Sequence, residues 1–132
     1  MYCYYGNERL EKLSPEFIFV YGSNLAGRHG SGAALSARNN FGAEYGYGIA
    51  FTGGQSYGIP TKDENIKTMS LTAIECFVKK FKQDAKNNPN LNFVVTKIGC
   101  GLAGYKDAHI APMFRGSPDN CWFHKDWEEY LE

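Results

Sequence analysis

The sequence predicts an α/β layered sandwich with a mostly parallel central sheet. Apolar runs at residues 17–21 and 91–98 read as buried strands. Each passes directly into a glycine-rich loop, at 22–32 and 99–105. A helix-like segment follows each loop, and this alternation of strand and helix is the mark of parallel strands joined by crossovers.

The elements follow in order. Tyr2, Tyr4 and Tyr5 alternate around Cys3 and suggest an edge strand. Residues 8–13 read as a short helix or a loop, broken by Ser14-Pro15. After the strand at 17–21 and its glycine loop, a helix runs over 31–40, with Ala33, Ala34 and Ala37 as its small face. Residues 44–58 alternate aromatics with glycine and read as one or two short strands around a Gly53-Gly54 turn. The better strand, 56–60, exits through Thr61-Lys62-Asp63-Glu64. A long helix then starts with Thr68 or Ser70 as its N-cap. Ile74, Phe77, Val78 and Phe81 give it an apolar stripe, while Lys79, Lys80, Lys82 and Lys86 are expected to face solvent. Beyond the second glycine loop come a helix at 106–114, a strand at 120–123 and a final helix at 125–131.

At 132 residues the chain reads as one domain, long enough to bury a core without staples. Lys plus Arg (14) balance Asp plus Glu (14), which argues against a general nucleic-acid binder. Cys3, Cys76, Cys100 and Cys121 are widely spaced and form no CxxC pair, so no metal site or disulfide framework is expected. Neither a signal peptide nor an apolar run of membrane-spanning length is visible, so a cytoplasmic protein is expected. Ten of the 15 glycines fall between Gly22 and Gly58, and three more at Gly99, Gly101 and Gly104. This clustering suggests backbone engaged in recognition.

A glycine loop between a strand and a helix lets backbone N–H groups approach an anion, and the helix N-terminus favours negative charge. Two such loops facing each other beyond the carboxyl ends of neighbouring strands suit a ligand with two linked phosphates. Neither loop ends in Lys-Ser or Lys-Thr, so the Walker pattern is absent. Gly27, Gly30 and Gly32 are spaced i, i+3, i+5, which fails the dinucleotide fingerprint.

At these residues the chain resembles macrodomains. Residues 24–35, an Asn before a glycine-rich turn and a small-residue helix, are similar to the first macrodomain loop. Ile98-Gly-Cys-Gly-Leu-Ala-Gly-Tyr105 is similar to the second. The terminal ADP-ribose glycohydrolase subgroup is the nearest in pattern. Its Met-Gly-Ala-Gly, helix and Phe-Gly-Gly resemble His29-Gly-Ser-Gly32, the helix and Phe41-Gly-Ala43. Its strand ending in Ile-Thr-Lys resembles Tyr57-Gly-Ile-Pro-Thr-Lys62, and its Ile-Gly-Cys-Gly-Leu matches residues 98–102 letter for letter.

The resemblance covers residues 17–123 in order. It implies a three-layer α/β/α sandwich with a mixed, mostly parallel sheet. It also implies a site for ADP-ribose or a derivative, such as ADP-ribosylated protein, with no cofactor. The ligand-binding residues it implies are Ser23, Asn24, Gly27, Arg28, His29, Gly30, Ser31 and Gly32 in the first loop. In the second they are Gly99, Cys100, Gly101, Leu102, Ala103, Gly104 and Tyr105. Asn24 would lie near the distal ribose, Tyr105 would pack against it, and Lys62 falls where the subgroup places a nucleophilic lysine.

The chain also departs from that pattern. The subgroup has an Asp after Gly-Cys-Gly-Leu, where this chain has Ala103. Acid/base work would then fall to Asp63, Asp107 or His29. No counterpart of the adenine-reading Asp of many macrodomains stands in residues 1–16. The chain is short for the family, which implies a missing peripheral element. The candidate catalysts are therefore Asn24, Lys62, Asp63 and Asp107, beside the alternative of a non-catalytic reader that Ala103 favours. The hydrolytic reactions in view are de-ADP-ribosylation, O-acyl hydrolysis and removal of a terminal phosphate.

Several residues have a plain structural reading beside the functional one. Lys62 could be a solvated strand-end lysine, His29 and Arg28 solvent-facing loop residues, and Cys100 a small packing residue. Asp107 and His109 are two apart on a helix and share no face, so they form no dyad. His124 is expected near the cap of the last helix, and Trp122, Trp127 and Tyr130 in packing roles. Tyr45, Tyr47 and Phe51 fit either the sheet core or an adenine-stacking wall.

Overall fold

The computed structural model describes residues 2–8 and 10–132. Its scaffold is an α/β fold with one six-stranded mixed sheet. The strands are β1 (Cys3–Tyr5), β2 (Phe17–Asn24), β3 (Ala50–Gly53), β4 (Ser56–Lys62), β5 (Asn92–Val95) and β6 (Cys121–His124). Their order across the sheet is β1-β6-β5-β2-β4-β3. All neighbours are parallel except β3, which folds back antiparallel on β4 through the Gly53-Gly54 turn. The α-helices are α1 (Gly32–Asn40), α2 (Leu71–Asn87), α3 (Asp107–Ile110) and α4 (Glu128–Leu131).

The run at 17–21 is continuously apolar because both faces of β2 are buried. Ile18 and Val20 point into a cluster with Ile74, Val78, Phe81 and Ala85 of α2, Phe114 and Trp127. Phe19 and Tyr21 point the other way, against Ala34 and Ala37 of α1 and against Phe41 and Ala43. The small face of α1 brings that helix close to the sheet. Phe19 stacks on Phe41 with ring centroids 4.3 Å apart.

Ser70 is the N-cap of α2, its hydroxyl accepting from Ala73 N–H at 3.2 Å. Several expectations change, among them the final helix over 125–131, which is a 3₁₀ turn over Lys125–Trp127 followed by α4. The helix expected over 106–114 is two pieces, α3 and a 3₁₀ turn over Ala111–Phe114. Pro112 lacks the N–H that would continue α3, and its ring crowds the preceding turn. The strand expected over 91–98 is only β5. Thr96 N–H and its hydroxyl both turn to Val20 O, and the chain then leaves the sheet.

Lys82 differs too. Its ammonium is half-buried and donates to the carbonyls of Met113 and Arg115 at 2.9 and 3.0 Å. Burial lowers its pKa, with Glu75 opposing. Lys82→Ala is expected to cost about 1 kcal/mol in urea denaturation, where a solvated lysine would cost nothing measurable.

Within residues 8–13 the described residues form no helix, and Arg9 lies outside them. Tyr45 and Tyr47 stand outside any strand, 63% and 58% exposed, so neither belongs to the sheet core. Phe51 lies on the edge strand β3 with its ring edge-on to Tyr57. Among the described residues no helix is long and apolar enough to cross a membrane.

Candidate functional site

β2 lies between β4 and β5, so three parallel strands end side by side. Both glycine loops and the Lys62 exit leave from those carboxyl ends. The loops meet at their bases, where a Cβ built on Gly22 would stand 3.5 Å from Gly99 N. Between them opens a cavity of about 540 Å³.

Its walls are built from both loops and the strand ends. Ser23, Asn24, Arg28, Gly30, Ser31 and Gly32 come from the first loop, and Gly99, Gly101, Leu102 and Ala103 from the second. Lys62 closes the β4 side. The N-terminus of α1 opens into this space. Ser31, its N-cap, makes no side-chain cap hydrogen bond, and the first turn holds no acidic residue. Its N–H groups therefore face the cavity without an internal anion. The lining carries three cations, Arg28, Lys62 and Lys97, and among the described residues no carboxylate. Lys97 is offset by two carboxylates behind the wall, so the positive charge that a chain of zero net charge presents to this cleft rests on Arg28 and Lys62.

Asn24 holds the first loop. Its Nδ2 donates to Arg28 O at 2.9 Å, and its Oδ1 accepts from Arg28 N–H at 2.9 Å. This pair of bonds closes the loop on itself, so the amide that was expected to face a ribose is engaged with backbone. Gly27 holds the turn at φ +71° on the side away from the cavity, against Gly46. Ser23 donates its hydroxyl to Gly48 O.

His29 does not line the cavity. It is 1% exposed, with Nε2 3.1 Å from both the Tyr21 hydroxyl and Tyr47 O. Tyr21 donates its own proton to Thr52 Oγ1, so Nε2 carries the proton and bridges the two oxygens. Buried Nδ1 is then left without a partner. Burial lowers the pKa of His29, with Tyr47 O opposing and Arg38 adding to the drop.

The two candidate aspartates are also engaged elsewhere. Asp63 Oδ1 accepts from Asn65 and Lys67 N–H at 2.8 and 3.0 Å, capping the turn after β4. Asp107 Oδ1 accepts from Trp127 Nε1 at 2.9 Å, and its Oδ2 pairs with Lys97 at 3.2 Å. Burial would raise the Asp107 carboxyl, but hydrogen bonds from Trp127, Lys97 and Cys100 outweigh it and hold the group below its ordinary value. Neither aspartate lines the cavity, and Cys100, Gly104 and Tyr105 stand off it too. Burial first, and then Asp107, push the Cys100 thiol up to about 12, which suits packing and not nucleophilic work. Tyr105 donates to Met69 O at 2.6 Å.

Other lining residues carry no glycine-loop signal in the sequence: Thr61, Ile66, Thr96 and Lys97. Lys97 pairs with Asp107 and with Asp126 at 3.1 Å. Burial opposes its charge, yet these two carboxylates hold the ammonium above its ordinary value. A second cavity of about 330 Å³ shares Ala33, Thr96 and Lys97 with the first and reaches Asn7, Phe19 and His124. His124 Nδ1 accepts from Asp126 N–H at 3.0 Å, the cap position expected for it, and Nε2 donates to Asn7 Oδ1 at 2.8 Å.

Ile66 is held at φ +62°. A β-branched residue there stores on the order of 1–2 kcal/mol. The Asp63 carboxylate fixes that turn from both sides, through Asn65 and Lys67.

The chain matches no family model, no curated protein and no solved structure.

Proposed function

We propose that the chain is a macrodomain-like module, a three-layer α/β/α sandwich, that binds ADP-ribose or a derivative in the cavity between its glycine loops. One observation carries the reading. The uncapped N-terminus of α1 opens onto a cleft lined by Arg28 and Lys62, by Lys97 paired with carboxylates outside the lining, and, among the described residues, by no carboxylate. Such a cleft takes a diphosphate through backbone N–H groups, with Arg28 and Lys62 completing the charge. The adjoining second cavity gives a nucleoside end somewhere to lie, beside Asn7 and Phe19.

Binding without turnover is the better-supported form. Asp63 and Asp107 are committed to a turn and to Trp127, Asn24 to its own loop, and His29 to the interior. No acid or base beyond the three cations faces the ligand among the described lining residues. The reading includes ADP-ribosylated protein as a partner and a cytoplasmic setting, which the four free thiols support. The second reading is hydrolysis at the distal ribose with Lys62 as nucleophile, favoured by the presence of Lys62 in the cavity wall.

Calorimetric titration with ADP-ribose tests the site. Saturable binding, weakened about tenfold in Lys62→Ala, is the expected result. No binding would overturn the assignment. Incubation with ADP-ribosylated protein, O-acetyl-ADP-ribose and ADP-ribose-1″-phosphate separates the two forms. Turnover lost in Lys62→Ala would replace the reader with the hydrolase.

A further inference from the structure

Of the two ionisable side chains in the first glycine loop, Arg28 lines the cavity and His29 is turned into the interior. The tautomer of His29 is set from the far end of a buried chain of hydroxyls. Gly53 O can only accept, so Ser56 donates to it at 2.5 Å. Thr52 then donates to Ser56 at 2.6 Å, and Tyr21 to Thr52 at 3.0 Å. The Tyr21 oxygen is left to accept, and the proton it takes is the one on His29 Nε2. Nδ1 therefore carries a bare lone pair, buried and without a partner.

The same ring fastens the loop. Nε2 reaches Tyr47 O on the 43–49 segment, where Gly46 N–H donates to Gly27 O at 2.8 Å. Arg28 and Gly30, on either side of His29, both line the cavity. The shape of the loop at the anion thus depends on an imidazole that suits its place only when neutral. A proton added to Nδ1 would make a buried charge whose new N–H meets no acceptor. The groups facing the ring offer no relief. β2 presents the Tyr21 hydroxyl, β3 the Thr52 hydroxyl behind it, and the 43–49 segment the Tyr47 carbonyl. From α1 the Arg38 guanidinium adds a like charge. Glu44, the carboxylate of the 43–49 segment, lies with its side chain against Gly53.

We propose that His29 is an acid-sensitive latch on the anion site: neutral, it holds the first glycine loop closed, and a proton taken from solvent onto Nδ1 opens the loop and weakens its hold on the ligand. The proposal rests on the ADP-ribose reading and adds the regulation of that site. Its sign follows from burial, which together with Arg38 and against Tyr47 O holds the closed ring below the ordinary 6.5. An opened loop exposes the ring, which then takes a proton from the ordinary value downward. The closed form keeps its full advantage above that pH and loses up to about tenfold of it per pH unit below, until the closed ring itself titrates.

Amide hydrogen exchange on the full chain at pH 7.5 and 5.5, corrected for the intrinsic rate, tests the latch. The reporters are the N–H groups of Gly27, Arg28 and Gly46, all hydrogen-bonded in the closed loop. Their protection is expected to fall about tenfold at the lower pH, while that of α2 stays unchanged. Calorimetric titration with ADP-ribose is expected to show several-fold weaker binding at pH 5.5 than at pH 7.5. His29→Gln keeps an N–H at the Nε2 position and takes up no proton, so neither quantity is expected to change with pH in that variant. Each ratio is taken within one protein, so a general loss of affinity in the variant cancels. Equal loop protection at the two pH values would overturn the latch, and so would a fall shared by α2 or reproduced in His29→Gln. The wild-type exchange comparison decides this even where the variant fails to fold. A loop that opens in acid without weakening ADP-ribose would also overturn it. Failure of ADP-ribose to bind at either pH would remove the underlying reading, with loop exchange still deciding whether His29 is a latch.

Discussion

Gly48→Ala is expected to lower stability by about 3 kcal/mol and the melting temperature by on the order of 10 °C. A Cβ built on Gly48 would stand 1.9 Å from Asn24 O and 3.1 Å from its carbonyl carbon. Both are main chain, so no rotamer change relieves the clash. Asn24 is the residue whose amide closes the first glycine loop on Arg28. Gly48 O in turn accepts from Ser23. The 43–49 segment is thus a backbone brace behind the cavity, and a methyl group there pushes the loop off its register. Thermal denaturation reads the stability, and an ADP-ribose titration of the surviving folded protein is expected to show weaker binding. An unchanged melting temperature would mean that the brace is not formed.

Asp107→Ala is the second large effect, at about 2–3 kcal/mol in urea denaturation at neutral pH. It strips the acceptor from Trp127 Nε1 and a carboxylate from Lys97 at once. Asp107→Asn keeps an oxygen for the indole and is expected to cost less. The pH dependence follows from the sign of the shift. The folded carboxyl titrates below its ordinary 3.8. Its contribution is therefore fully present above that value and is lost as pH falls through the folded value. The stability gap between wild type and Asp107→Asn should close as pH is lowered from 5 toward 2. A gap that stays constant would show that the charge does not matter. Asp107 placed on a substrate as a catalyst would show instead as lost turnover at unchanged stability.

The parts of the fold that repeat along the chain were legible. The two strand–loop–helix units, the Gly53-Gly54 hairpin, the α2 stripe and the Ser70 cap all follow from local pattern. The end of α3 was missed, because the reading over 106–114 ran through Pro112, which local chemistry makes a stop. The candidate cavity was legible in its backbone more than in its side chains. Glycine spacing marks where a chain can approach an anion, whereas the direction of His29 or Asp107 depends on partners such as Tyr47 and Trp127, 18 and 20 residues away. Lys97 and Thr96 carry no motif. They reach the cavity because β5 ends early and lies beside β2. Ile66 was hidden for a different reason. Only a backbone angle, which the letters do not spell, sets it apart from any other surface isoleucine.

Lys97 lines both cavities, and its ammonium is shared by Asp107 and Asp126. Under the proposed reading, an anion bound in the cleft would compete with those carboxylates for the same charge, and Asp107 also accepts from the Trp127 indole N–H. Tryptophan emission followed during titration with ADP-ribose is therefore expected to shift through the buried Trp127 ring, without any label attached to the ligand.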